Sequence, residues 1–178
     1  LAVDQANGLI YYTDSASVDT TRALFAYDFI NNNHILIDND LGSNGALTNV
    51  VIGARGVGSG AAAFNAGSLF LGVESGAGDA QIWRLTFSAD GRTLAGVSTF
   101  GSNLASTDWG DFAIDTANGN LLSITGTGIT RFNLTTGAAV AGTFTNPGGT
   151  QGATDAAGNS YVVGTLTQGN APIIQRFN

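Results

Sequence analysis

The segment from Gly110 to Thr143 contains four short stretches rich in Ile, Leu, Val, Phe and Thr, each bounded by Gly or Asn. Short stretches of this composition between turn residues are typical of antiparallel β-strands. The segment therefore predicts a four-stranded antiparallel unit with tight turns, one of them at Asn118-Gly119. The predicted strands are Asp111–Asp115, Asn120–Thr125, Gly128–Leu134 and Ala138–Thr143.

The remainder of the chain repeats this unit with variations. The predicted third strands align without gaps as LFAYD, IWRLT, ITRFN and IQRFN, at positions 24–28, 82–86, 129–133 and 174–178. A repeat of roughly 40–60 residues with four strands is typical of a β-propeller, whereas a β-solenoid has coils of roughly 20–30 residues. We therefore predict an all-β chain, a β-propeller of about four blades. Each blade has four antiparallel strands, except that the last lacks its fourth. The repeats of this single, partial propeller domain are predicted at approximately 1–50, 51–106, 107–148 and 149–178.

The missing strand of the last predicted blade bears on assembly. An open ring leaves apolar blade faces and a bare strand edge in water, which favours pairing with further strands. We expect that the chain either is part of a larger propeller of about seven or eight blades or associates with copies of itself. A closed four-bladed ring with a three-stranded last blade is the alternative.

The composition excludes some classes of partner. Thirteen acidic residues against six basic ones give a net charge of −7, which repels nucleic acid and anionic membranes. No apolar run approaches the ~18 residues of a membrane span, so we expect neither a nucleic-acid partner nor a membrane span. Cys, Lys and Met are absent, while Asn, Gly, Thr and Ser are abundant. We interpret the sequence as a processed chain that is extracellular or located at the bacterial cell surface or periplasm.

The opening sequence LAVDQANGLIYYTD, at positions 1–14, resembles the YWTD/NHL group of propeller repeats. In that group an apolar strand ends in Asp, a turn follows, and the second strand carries the signature that is Tyr12-Thr13-Asp14 here, preceded by Tyr11. The segment LTFSADGRTL, at positions 85–94, resembles a turn common to many propellers. The resemblance implies a propeller fold and a relation to gluconolactonase-like enzymes. In those enzymes Glu, Asn and Asp residues spread around the ring hold a metal, and Glu74 is the only Glu in this chain.

Carboxylates recur at equivalent places, where the predicted first strands end. Asp4, Asp115 and Asp155 occupy these places, and Asn65 lies close to the matching position in the second repeat. A ring of carboxylates can hold a cation, but Asp and Asn side chains also accept hydrogen bonds from the backbone of their own turns. Because the feature recurs in every repeat, we predict the structural role.

Arginine also recurs, in the predicted third strands. Arg84, Arg131 and Arg176 are equivalent, and Ala26 takes this position in the first repeat. A repeated Arg can bind an anionic ligand. We predict instead that each one pairs with a neighbouring acidic group and lies along the sheet.

The residues that break the repeat are better candidates for a ligand site. Asp38, Asp40 and Asn44 lie in a loop rich in oxygen ligands and are candidate ligands for calcium, although the loop departs from the EF-hand pattern. Trp83 is predicted to pack between blades, whereas an aromatic residue on a rim can stack on a sugar. The rim candidates are Glu74, Asp79, Asp108, Trp109 and Asp111.

The chemistry available to the chain limits its activity. His34 is the only His, and no Gly-x-Ser-x-Gly motif accompanies it. Without Cys, a thiol–imidazole pair is excluded. We therefore expect a non-catalytic module that binds protein or glycan through rim loops, or serves in structural assembly, with no cofactor unless calcium binds. The alternative is a metal-dependent lactonase- or esterase-type hydrolase, as the resemblance implies.

Overall fold

The computed structural model of the protein describes ten stretches of the chain. Within these stretches the regular elements are β-strands, and they form four antiparallel sheets. Backbone contacts divide the chain into two compact units, Leu1–Thr107 and Asp108–Asn178, and each unit holds two sheets. The described residues are 1–13, 23–39, 41, 50–51, 62–75, 80–104, 111–124, 128–145, 151–165 and 172–177.

The first sheet of unit 1, blade 1, is a meander in which each strand pairs with the next in sequence. Its β1–β2 turn has Gly8 at a φ of 68°, and its β3–β4 turn has Asn32 at a φ of 53°. Asn is among the residues that adopt the left-handed conformation most readily, which suits Asn32 to this turn. The strands are β1 (Ala2–Asp4), β2 (Leu9–Thr13), β3 (Leu24–Asp28) and β4 (Asn33–Asp38).

The second sheet, blade 2, differs from the prediction at its first strand. Two segments pair with the strand Ser68–Ser75. Ala62–Asn65 pairs with the beginning of that strand. Val50–Val51, which the sequence did not predict as a strand, pairs with its end at Glu74 and Ser75. The last strand is long, with 11 residues. The strands are β5 (Val50–Val51), β6 (Ala62–Asn65), β7 (Ser68–Ser75), β8 (Ala80–Phe87) and β9 (Leu94–Leu104).

Unit 2 contains blade 3 and blade 4. Blade 3 is the four-stranded sheet predicted from the segment 110–143, and blade 4 has three strands in the described residues, as predicted. The blade 3 strands are β10 (Asp111–Asp115), β11 (Asn120–Ile124), β12 (Gly128–Asn133) and β13 (Ala139–Thr145). The blade 4 strands are β14 (Gln151–Thr154), β15 (Ser160–Thr165) and β16 (Pro172–Phe177).

Each unit has a core between its two blades. Successive side chains of a strand point to opposite faces of the sheet; we call the face towards the following blade the forward face and the opposite one the rear face. In unit 1 the forward face of blade 1 packs on the rear face of blade 2, where Trp83 is fully buried. The predicted packing role of Trp83 is thereby confirmed. Members of this core include Leu9, Tyr11, Leu24 and Ala26 of blade 1 and Leu69, Leu71, Trp83 and Leu85 of blade 2.

The core of unit 2 is smaller. Leu122, Ile124 and Ile129 on the forward face of blade 3 pack on Val162 of blade 4. Gly152 is required there, because a Cβ built on it would lie 2.8 Å from the carbonyl oxygen of Tyr161 and close to Ile124. The two blades of unit 2 therefore approach each other closely along β14.

Candidate functional site

The site residues predicted from the sequence fall mainly outside the described residues. Glu74 lies in β7 and pairs with Ala80 and Val51 through the backbone, but its side chain is outside the description. Asp38 is the last residue of β4 and is partly buried. The predicted sites at Asp40, Asn44, Asp79, Asp108 and Trp109 all lie outside the described residues.

Asp111 is the rim candidate whose side chain the structure defines. Its carboxylate accepts hydrogen bonds from the backbone N–H of Phe112 at 2.9 Å and of Gly152 at 3.3 Å, so it joins blade 3 to the first strand of blade 4. Burial raises the pKa of this carboxyl above its ordinary value, although the two N–H donors oppose the shift. The geometry thus gives Asp111 a part in holding the blades together.

The carboxylates that end the first strands each bind their own turn. Asp4 accepts hydrogen bonds from the backbone N–H of Asn7 at 3.3 Å and from its side-chain amide at 2.7 Å. Asp115 accepts the same pair of bonds from Asn118 at 3.0 and 2.8 Å. Asp155 accepts both from Asn159 at 2.9 and 2.8 Å. The predicted structural role of these carboxylates is confirmed, because each one caps a turn of its own hairpin.

The same motif occurs between β3 and β4, where the sequence analysis missed it. Asp28 accepts hydrogen bonds from the backbone N–H and the side-chain amide of Asn31 at 2.9 and 2.8 Å, and it forms an ion pair with Arg92 of blade 2. The amide of Asn31 is the main cause that lowers the pKa of Asp28 to about 2, and Arg92 adds to it. The Asp-x-x-Asn spacing shared with Asp4 and Asp115 is the signal that could have identified it.

The repeated arginines have neutral partners in the described hydrogen bonds. The Nε of Arg84 donates to the Ser68 hydroxyl at 3.0 Å, and Arg176 donates to the side-chain oxygen of Asn159 at 2.8 Å. Ser68 and Asn159 hold equivalent places at or next to the start of the second strand of their blades. The partners seen at Arg84 and Arg176 are therefore neutral groups and not the predicted acidic ones.

A depression of about 390 Å³ lies on unit 1 at the end of the blades that carries the short turns. Three turns surround it: residues 5–7 between β1 and β2, residues 65–67 between β6 and β7, and residues 88–91 between β8 and β9. We call it the turn depression. Phe64 and Phe87 belong to its lining, and their rings pack on Tyr11, with centroid distances of 5.3 and 4.7 Å.

The polar groups of the turn depression are mostly uncharged. Gln5, Asn7 and Asn65, which have amide side chains, belong to its lining, together with Ser88 and Asp4. Asp4 is already bonded to Asn7, as described above. An aromatic wall with a few amide groups suits a neutral polar ligand, because rings offer apolar faces and amides both donate and accept hydrogen bonds.

His34 lies on the rear face of blade 1, away from the turn depression. Its Nδ1 is 2.8 Å from the hydroxyl of Tyr12, and its ring packs against Tyr27 at a centroid distance of 4.9 Å. Within the described part of the chain, no group of three or more His, Cys, Asp and Glu residues is arranged to hold a metal ion. Nor does any helix there have the length and apolarity to cross a membrane.

Comparison with solved structures identifies the class of fold. A luciferin-regenerating enzyme matches with a TM-score of 0.61 at 12% identity, over 98% of this chain and 59% of that one. Weaker likenesses, with TM-scores of 0.47 and 0.44 at 8% identity, are to a 2S albumin seed protein from Dolichos and to the hemopexin fold protein CP4 from cow pea. Each of these covers 98% of this chain and 89% of the other. No family model and no curated protein matches the sequence.

The chain has the β-propeller fold, with four antiparallel sheets as its blades. The predicted fold class is thereby confirmed. The chain spans 59% of the length of the luciferin-regenerating enzyme with which it shares that fold.

Proposed function

We propose that the chain is a non-catalytic, extracellular β-propeller module that binds a neutral polar ligand, such as a glycan, in the turn depression of unit 1. One observation carries this proposal: two Phe residues and three residues with amide side chains belong to the lining of one concavity of about 390 Å³. Ligand sites are concavities of roughly 300–1,000 Å³, lined mostly by apolar and aromatic groups with a few placed polar ones.

The electrostatics favour an uncharged ligand. The net charge of −7 disfavours anions, and the Asp4 carboxylate in the depression already accepts two hydrogen bonds from Asn7. Sugars present apolar C–H faces to aromatic rings and hydroxyl groups to amides, which is the combination that Phe87 and Asn65 offer.

A glycan array probed with the labelled chain tests this proposal, followed by titration calorimetry with the glycan that binds best. Gln5→Ala removes an exposed rim amide without touching the core, so we expect it to weaken binding by about tenfold. Gln151→Ala, an exposed amide in unit 2, is the matched control and should leave binding unchanged. Absence of binding to every glycan, or equal weakening by the control, would count against the proposal.

The alternative is a metal-dependent lactonase- or esterase-type hydrolase, which the sequence resemblance to gluconolactonase-like propellers implies; the luciferin-regenerating enzyme that shares the fold is itself an enzyme by name. A resident metal would raise the melting temperature through its binding free energy. If calcium or zinc raises the melting temperature, EDTA reverses the rise, and the metal-loaded chain opens a simple γ-lactone, the hydrolase replaces the binding module as the conclusion.

A further inference from the structure

The turn between β10 and β11 contains an Asn-Gly pair, Asn118-Gly119. Asn is one of the thermolabile residues of proteins, because the backbone nitrogen of the next residue can attack its side-chain carbonyl carbon. A following Gly has no side chain to hinder that approach, and its backbone is the most flexible. A second pair, Asn7-Gly8, lies between β1 and β2, and a third, Asn44-Gly45, lies outside the described residues. The two described pairs can therefore be compared.

The packing around the two pairs differs. Gly8 is buried, and a Cβ built on it would lie 2.4 Å from Cδ1 of Ile30. Gly119 has nearly the same φ, 66°, but it is partly exposed and no atom beyond its chain neighbours lies within 4 Å of its built Cβ. Asn118 itself is exposed, whereas Asn7 is partly buried. The backbone movement that the attack requires is therefore easier at Asn118 than at Asn7.

The side-chain amide of Asn118 is the donor to a buried carboxylate. It donates a hydrogen bond of 2.8 Å to Asp115, which is only 1% exposed. If the amide became a carboxylate, the donor would be replaced by an acceptor, and two negative charges would lie side by side. The lost hydrogen bond and the repulsion both destabilise the turn. A chemical change at Asn118 therefore acts on the cap that holds this turn.

The same cap supports the neighbouring blade of unit 2. A Cβ built on Gly158, in the turn between β14 and β15, would lie 2.4 Å from Nδ2 of Asn118 and 3.0 Å from a carboxylate oxygen of Asp115. The turn of blade 4 thus packs directly on the cap of the blade 3 turn. A second charge in that cap weakens this contact, because each carboxylate then requires solvent that the packed turn excludes.

We infer that Asn118 is a site of spontaneous deamidation that loosens the contact between blade 3 and blade 4. The backbone nitrogen of Gly119 loses its proton to hydroxide and bonds to Cγ of Asn118; the Cγ–Nδ2 bond breaks, and ammonia leaves after taking up a proton from water. Water then opens the cyclic imide at either carbonyl, which leaves aspartate or isoaspartate at this position. The reaction needs no partner other than water, so the fraction converted records the age of the chain. This inference is independent of the ligand proposed for unit 1.

Storage of the chain in heavy-oxygen water at mildly alkaline pH, followed by peptide mass spectrometry, tests the reaction. We expect solvent oxygen to enter position 118 at least about tenfold faster than position 7, because the turn at Gly8 has to open first. Asn159 is the internal control: it caps Asp155 in the same way but is followed by Ser160, so it should keep its amide. An amide that persists at Asn118 while Asn7 or Asn159 reacts overturns the inference.

Hydrogen exchange of the aged and the fresh chain tests the consequence. The N–H of Gly158 donates to the carbonyl oxygen of Asp155 at 3.1 Å, and its exchange should be faster in the aged chain. Asn118→Asp should show the same local change together with a lower melting temperature.

Thr116→Asp is the matched control, because it adds the same charge to an exposed position of the same turn. It should leave the exchange at Gly158 as in the parent chain. Equal changes in Thr116→Asp and Asn118→Asp, or unchanged exchange at Gly158 in the aged chain, would overturn the link between deamidation and the blade contact.

Discussion

The hydroxyl of Tyr11 on β2 donates a hydrogen bond of 2.8 Å to the carbonyl oxygen of Gly91, in the turn between β8 and β9. The bond is buried and joins blade 1 to blade 2 across 80 positions of sequence. Burial is the main cause that raises the pKa of Tyr11 far above its ordinary value, so the hydroxyl stays protonated and remains a donor.

Removing this hydroxyl should destabilise unit 1. In Tyr11→Phe the carbonyl of Gly91 loses its partner, and we expect a loss of about 1–2 kcal/mol in the free energy of unfolding, measured by urea denaturation. Tyr12→Phe is the control on the same strand, because the hydrogen bond between its hydroxyl and His34 is exposed; its effect should stay within about 0.5 kcal/mol. Equal effects of the two substitutions would contradict the assignment of the blade contact to Tyr11.

The turn that carries this carbonyl also has no room for a side chain. Gly91 has a φ of 71°, and a Cβ built on it would lie 2.6 Å from the Tyr11 hydroxyl and 2.8 Å from Leu9. Gly67 has a similar φ of 76°, but no atom lies within 4 Å of its built Cβ. Both Gly→Ala variants incur the backbone cost of roughly 1–2 kcal/mol, and Gly91→Ala should lose about 1–3 kcal/mol more through overpacking.

Urea denaturation of Gly91→Ala and Gly67→Ala measures that difference, since the backbone term is common to both. Equal losses would mean that the two turns pack alike and that blade 2 does not press on Leu9 and Tyr11. Gly91→Ala should also reduce ligand binding in the turn depression, because Gly91 is part of its lining.

Much of the fold could be predicted because its determinants are local. β10 has the bounds that the sequence predicted, since turn residues enclose it. The cap of Asp115 on Asn118 is equally local, three residues apart. Strand β5, in contrast, is a pair of residues with no periodicity of its own, and its pairing with the end of β7 depends on the sheet that is already formed.

The candidate site was less predictable because its contacts are distant in sequence. Arg92 meets Asp28 across 64 positions, and no local pattern connects the two. The turn depression brings together three short turns, at residues 5–7, 65–67 and 88–91, which are distant from one another in sequence. Which turns meet depends on the packing of blade 1 against blade 2, and a strand pattern does not encode that packing.

Stability should fall in acid because of the carboxylates that cap turns. The side-chain amide of Asn31 is the main cause that lowers the pKa of Asp28 from 3.8 to about 2. The side-chain amide of Asn159 lowers the pKa of Asp155 in the same way, also to about 2. A lowered pKa means that the ionised form stabilises the fold; this contribution is complete above about pH 4 and is lost as the pH falls towards 2. Melting temperatures measured between pH 6 and pH 2 should therefore drop mainly below pH 4.

Asp28→Asn tests the source of this acid dependence. The variant keeps an oxygen acceptor for the turn but has no proton to gain, so its melting temperature should fall less steeply between pH 4 and pH 2 than that of the parent chain. An unchanged slope would show that Asp28 does not contribute to the acid transition.

Asp111 should have the opposite pH dependence. Burial raises its pKa, so the ionised carboxylate is less favourable in the folded chain than in the unfolded one. Its effect on stability therefore becomes unfavourable as the pH rises from 3.8 through the raised pKa.

Asp111→Asn keeps an acceptor for the N–H groups of Phe112 and Gly152 and cannot ionise. Relative to the parent chain, the variant should gain stability between pH 3 and pH 7 in denaturant unfolding. A relative loss over that range would mean that the negative charge itself is needed there, as it would be in a site for a cation.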